Sequence, residues 1–114
     1  MTAYKRGDIV LVPFPFSDQT TTKKRPAVVI SSSRYNSVSQ DIIIMAVTSQ
    51  TEKSFDIGEC LIKNWKEAGL LKPSAIKPAI STIEQKLVLK KLGMLSTDDL
   101  ASLDSALKEL LSMG

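Results

Sequence analysis

Three short runs of apolar, mostly β-branched residues open the chain, at positions 9–12, 27–30 and 42–47, each bounded by Gly, Pro, Asn or Ser clusters that favour turns. They predict strands. The runs are nearly continuous where a half-exposed strand would alternate, so the expected sheet is tightly curled and covered on much of both faces, as in a small barrel. Pro13 and Pro15 remove two backbone donors after the first run, so interior pairing is expected to stop there and Phe14-Pro15-Phe16 to turn outward. Residues 17–24 hold no large apolar side chain, which predicts a loop, and Pro26 then holds Arg25 in extended backbone ahead of the second strand.

The second half is more polar. Residues 54–61 alternate over much of their length and read as a half-exposed strand. Residues 63–68 form a helix-prone stretch ending at Gly69, a residue suited to the left-handed position after a short helix, with Trp65 as its apolar anchor. A strand is expected around residues 74–77, while 87–95 fits either a strand or a helix. Ser96 suits a helix cap with Asp99 at the third position, and Leu100, Leu103, Leu107, Leu110 and Leu111 then fall on one face. With 114 residues, 43% of them hydrophobic, and no repeat or linker, the expectation is a single domain over 1–114, mainly β with short helices and a terminal α-helix.

Charge narrows the function little. A formal net charge of +3 favours polyanionic partners only mildly. The lone cysteine, Cys60, has no internal partner, and no Cys/His spacing exists for a structural zinc site, which fits a reducing compartment. No N-terminal apolar stretch is long enough for a signal peptide, and the longest apolar run falls far short of a membrane span of ~20 residues. A soluble, cytoplasmic protein without membrane contact is expected. Histidine is absent, which removes the side chain most used for proton transfer near neutral pH. The acidic residues form no evident pair or triad for two-metal chemistry, so no metal and no cofactor are expected.

Candidate chemistry gathers at two places. Lys23-Lys24-Arg25 delivers three cations to a strand edge; such a cluster is commonly a solvated loop, but an arginine fixed at a loop–strand junction also suits the oxygens of a phosphate. Thr48 ends the third strand and opens the polar segment Thr48-Ser49-Gln50-Thr51, where its hydroxyl either satisfies local backbone as a turn former or meets a phosphate. Phe14 and Phe16 are read as packing residues in preference to base-stacking ones.

These segments resemble the MazF/PemK family of toxin endoribonucleases from bacterial type II toxin-antitoxin systems. The resemblance rests on Gly7-Asp8-Ile9-Val10, Arg25-Pro26-Ala27-Val28-Val29-Ile30-Ser31, Ala46-Val47-Thr48-Ser49-Gln50, residues 71–78 and residues 91–96, taken in order and spacing. It implies an SH3-like barrel and a homodimer with an RNA groove at its interface. The implied activity is sequence-specific, metal-independent cleavage of single-stranded mRNA, with the 2′-hydroxyl as nucleophile and 2′,3′-cyclic phosphate and 5′-hydroxyl ends as products. Growth arrest and neutralisation by a cognate antitoxin, whose acidic segment folds on binding, follow from the same resemblance. It assigns Arg25 to phosphate contact and proton transfer and Thr48 to holding the phosphate. Ser49 and Gln50 become candidate RNA contacts, Lys23 and Lys24 candidate backbone contacts, and Ser17, Asp18 and Lys77 occupy regions that line the groove in relatives.

The sequence departs from common family patterns in its first loop, which lacks a glycine-flanked acidic element, and after Lys77, where Pro78-Ala79-Ile80 replaces an aspartate and further cations. Both bear on the cut sequence more than on cutting. Two other readings stay open: a non-catalytic toxin of the same barrel, like the CcdB gyrase inhibitors, and an RNA-binding module without cleavage. The C-terminal residues 110–114 give the first no specific support.

Overall fold

The three early runs become β1 (Asp8–Phe14), β2 (Lys23–Val29) and β3 (Asp41–Thr48) in the computed structural model, which describes residues 4–14, 23–51 and 57–113. Three further strands follow, β4 (Cys60–Ile62), β5 (Ser74–Glu84) and β6 (Lys90–Met94). All pair antiparallel in one sheet of order β4-β5-β3-β2-β1-β6, curled into a half-barrel. Helix α1 (Ser33–Val38) links β2 to β3, a short 3-10 turn (Gln85–Leu87) precedes β6, and α2 (Thr97–Leu111) closes the described chain. The mainly β fold with a terminal helix is as expected. No helix among the described residues is long and apolar enough to cross a membrane.

The nearly continuous apolar runs have the predicted cause: the sheet is covered on both faces. Ile9, Val28, Met45 and Val47 point to one side, where Ile62, Ile76 and Leu103 complete a core beneath α2. Val10, Val12, Ala27, Val29, Ile42 and Ile44 point to the other, where they pack with Ile83. Alternate residues of each strand thus feed two cores, and burying each large side chain contributes about 1.5–3 kcal/mol.

Several local expectations need correction. Pairing continues past Pro13 to Phe14, but only with β2, because β6 ends opposite Leu11; on that locally open edge a missing N–H costs nothing. The strand expected over 54–61 is interrupted by a turn at Ile57 and Gly58 and β4 begins at Cys60, while 52–56 lie outside the described residues. Residues 63–69 form a series of turns instead of a helix, although Gly69 takes its positive φ of 87° and Trp65 packs on the core. Leu111 projects to solvent at the end of α2 instead of joining the leucine face. The segment 87–95 resolves into the end of the 3-10 turn followed by β6.

Helix α1 was not expected, because Ser31-Ser32-Ser33 reads as a turn. Ser32 caps it by accepting from the Tyr35 N–H, and buried Asn36 ties it down by donating to the carbonyls of Tyr4 and Ser31. β5 is much longer than expected and carries a bulge. Met45 pairs with Ile80 but Ala46 pairs with Lys77, so Pro78 and Ala79 have no partners on β3, and Pro78 needs no donor there.

Candidate functional site

β2 and β3 pair only through residues 27–29 and 44–46. Beyond Ala27 the next residue is Pro26, which has no N–H to continue the ladder. The register that sets Ala27 against Ala46, carried on by two residues, brings Arg25 opposite Thr48 at the opened end of the sheet. The two residues singled out by sequence, 23 positions apart, therefore share a face. Lys77 joins it across β3–β5 as the partner of Ala46, and Val12 joins it across β1–β2 as the partner of Arg25.

This face forms a cavity of about 270 Å³. Its floor is apolar and buried, from Val12, Ala27 and Ile44, while exposed Arg25, Gln50 and Lys77 and half-buried Thr48 form the rim. Such a floor fixes the backbone beneath the polar groups, which is how a few side chains on strands become a preorganised site. Thr48 Oγ1 accepts a hydrogen bond from the Gln50 N–H at 3.1 Å, so the turn-forming role holds. That bond uses a lone pair and leaves the hydroxyl hydrogen to donate elsewhere, so both roles of Thr48 are compatible.

On the opposite face of the same sheet end lies a second cavity of about 730 Å³. Leu11, Leu70 and Leu92 line it with Ser49, and cations border it from β2 (Lys24), the 71–73 bend (Lys72) and β6 (Lys90, Lys91). Arg25, Pro26 and Val47 border both cavities. Among the described residues, none that lines either cavity is acidic. The charge of Lys91 is matched by the buried Asp8 carboxylate, which lies 3.3 Å from its Nζ and also accepts from the Lys5 N–H.

The expected contacts thus divide between two faces. Arg25, Thr48, Gln50 and Lys77 meet on the first cavity, whereas Lys24 and Ser49 border the second. Lys23 is exposed at the start of β2, on the same face as Arg25 by strand alternation but outside both linings. Phe16, Ser17 and Asp18 lie outside the described residues, as does the Phe14 side chain. Lys72 and Lys90 were missed. Lys72 sits in a segment that carries the resemblance, but its approach to Arg25, like that of Lys90 beside Leu11, depends on non-local pairing that no local pattern reveals. Among the described residues no group of three or more Cys, Asp or Glu side chains is placed to hold a metal ion.

A family model described as PemK-like, MazF-like toxin of type II toxin-antitoxin system matches residues 5–111. No curated protein sequence matches the chain. Its fold is similar to that of a MazE–MazF complex from Deinococcus radiodurans, at 21% identity and a TM-score of 0.78 over 100% of both chains. It is also similar to a mycobacterial endoribonuclease solved with its cognate antitoxin, at 15% identity and a TM-score of 0.75 over 98% of this chain and 96% of that one. A further mycobacterial endoribonuclease structure gives 15% identity and a TM-score of 0.76 over 98% of this chain and 94% of that one. Identities this low speak to fold, while the family match takes in every strand, the Arg25–Thr48 face and the whole of the terminal helix. The chain belongs to the PemK-like, MazF-like toxins of type II toxin-antitoxin systems.

Proposed function

We propose that the protein is a sequence-specific endoribonuclease of such a system, cutting single-stranded mRNA without a metal ion. The observation that carries this reading is the register that sets Arg25 opposite Thr48 on the rim of one cavity with an apolar floor. RNA supplies its own nucleophile: the 2′-oxygen attacks the adjacent phosphorus, the P–O5′ bond breaks, and a 2′,3′-cyclic phosphate and a 5′-hydroxyl result. Arginine is cationic at any working pH, so Arg25 serves to stabilise the charge that grows on the phosphoryl oxygens. Thr48 donates its free hydroxyl hydrogen to one of those oxygens. The 2′-proton leaves to solvent base and the 5′-oxygen takes one from water, which departs from the proton-transfer role that the resemblance assigns to Arg25 because a guanidinium keeps its proton at any working pH. Gln50 and Lys77 hold nucleotides beside the scissile phosphate, while Lys23, Lys24 and Ser49 contact the strand on either side.

The protein acts as a homodimer and is neutralised by a cognate antitoxin, in keeping with the relatives solved as toxin–antitoxin complexes. The cations Arg25 and Lys77 on the rim suit an acidic partner segment. The test is incubation of the purified toxin with a long single-stranded RNA in EDTA, beside Arg25→Ala and Thr48→Ala, with cut sites and end groups mapped. Discrete cuts with cyclic phosphate ends are expected, and loss of either donor should slow cleavage by about 10²–10³-fold. No cleavage by folded, antitoxin-free wild type across several RNAs would overturn the reading, and RNA binding without cleavage would leave only a binding module.

A further inference from the structure

We infer that the second cavity, on the α2 side of the sheet, is an accessory track for the RNA strand flanking the cut, with Lys72 and Lys90 as phosphate contacts. The inference rests on the ribonuclease reading and extends it to a surface with residues that the reading does not use. Four observations carry it. The cavity shares Arg25, Pro26 and Val47 with the first one, so a chain whose scissile phosphate sits at Arg25 has a continuous route over the open sheet end into it. Its volume of about 730 Å³ exceeds the 270 Å³ of the first, leaving room for nucleotides beyond the reacting one.

Among the described residues its charge has one sign: Lys24, Arg25, Lys72, Lys90 and Lys91 border it, and none of the described lining residues is acidic. Lys91 faces the Asp8 carboxylate, but Lys24, Lys72 and Lys90 are exposed and form no ion pair among the described residues. Between these cations lie Leu11, Leu70, Leu71 and Leu92, and Leu71 is 93% exposed, an apolar surface against which bases and riboses can rest. Phosphates regularly spaced along a strand match cations arranged around an apolar bed, whereas a site for one isolated anion would need only a single cluster. Leu71 and Lys72 lie in a bend just before β5 and Lys90 begins β6, so the track is assembled from the two elements that flank β1–β2–β3 at this end.

The test uses oligonucleotides centred on a mapped cut site and carrying a 2′-deoxy nucleotide there, so that they bind without being cut. One has the core sequence alone, and two others extend it by about six nucleotides on the 5′ or the 3′ side, within the span of a single-strand site. Wild type should bind one extended form about tenfold more tightly than the core, and Lys72→Gln/Lys90→Gln should lose most of that gain. In the same variant the slope of log Kd against log salt for the extended form should fall by about 1.4, at about 0.7 per lysine on single strands. Equal binding of all three RNAs by wild type would overturn the inference, as would an extension gain that survives in the double variant. An acidic amphipathic peptide that binds wild type and loses binding in the double variant, while RNA does not, would reassign the cavity to a protein partner. Cleavage of the core RNA by wild type separates failure of the track from failure of the ribonuclease reading.

Discussion

Arg25→Lys separates charge from shape at the site. Lysine keeps the positive charge but presents a point donor in place of the planar fork that holds two phosphoryl oxygens, so attraction of RNA persists while transition-state contact is lost. The expected result is a Kd for uncut RNA within about threefold of wild type and a single-turnover rate lower by about 10²-fold; equal rates would mean that any cation suffices there. Cys60 gives a residue-scale test of the fold itself. Burial pushes its thiol up, and the Asp99 carboxylate pushes it further, to about 11 from an ordinary 9.0. Thiolate is the reactive form, so two units correspond to about 100-fold slower reaction with a disulfide reagent near pH 8 than in the denatured chain, and stopped-flow absorbance would measure the ratio. Because the folded value lies above the unfolded one, this group's contribution to stability is fully present below about pH 9 and is lost as the pH rises toward 11.

Asp99 links two elements that the sequence shows only separately. Ser96 accepts from the Asp99 N–H as the helix cap, as its position predicts. The Asp99 carboxylate, however, is buried and accepts from the backbone N–H groups of Lys63 and Asn64, each at 2.9 Å, while Asn64 Nδ2 donates to Ser96 Oγ. The first turn of α2 thus clamps the 63–69 turns. Asp99→Ala leaves two donors without their acceptor and should destabilise the protein by about 2–4 kcal/mol, seen as a lower urea midpoint, whereas a loss below about 1 kcal/mol would mean that water replaces the carboxylate. Two glycines seal the same region against β6. A Cβ on Gly93 would stand 2.3 Å from the Ala68 carbonyl oxygen, and one on Gly69 would stand 2.1 Å from that of Leu92. Both obstacles are backbone, so Gly93→Ala should cost about 3 kcal/mol or more, and a soluble variant with an unchanged melting temperature would refute the close approach. Gly69 was legible because a positive φ after a polar stretch has a local signature; Gly93 and Asp99 were not, because their reasons lie in segments about 25 and 35 residues away. Helix α1 was hidden for a related reason: a six-residue helix held by Asn36 against distant carbonyls has too few turns to show a period.

At the scale of the whole molecule, the two-faced apolar patterning was readable from residues 9–12, 27–30 and 42–47, and so was Arg25 held extended by Pro26. The meeting of Arg25 with Thr48 was not, because it follows from one pairing register and from the ladder stopping at Pro26. On the proposed mechanism, the composition of the chain bears on how protons move. Ribonucleases that place a paired general base and acid at the phosphate show a bell-shaped rate profile, because one group must be deprotonated while the other stays protonated. This chain contains no histidine, and among the described residues no acidic side chain lines the cavity that Arg25 and Thr48 share. Arginine does not lose its proton at any working pH, so a guanidinium there contributes charge at every point of the profile. With solvent base removing the 2′-proton, the single-turnover rate should rise log-linearly with a slope near one from about pH 6 to about pH 9, without a descending limb. A bell with limbs on both sides of neutrality would show that a pair of protein groups carries the protons, and it would remove the solvent-base step while leaving the charge-stabilising role of Arg25 intact.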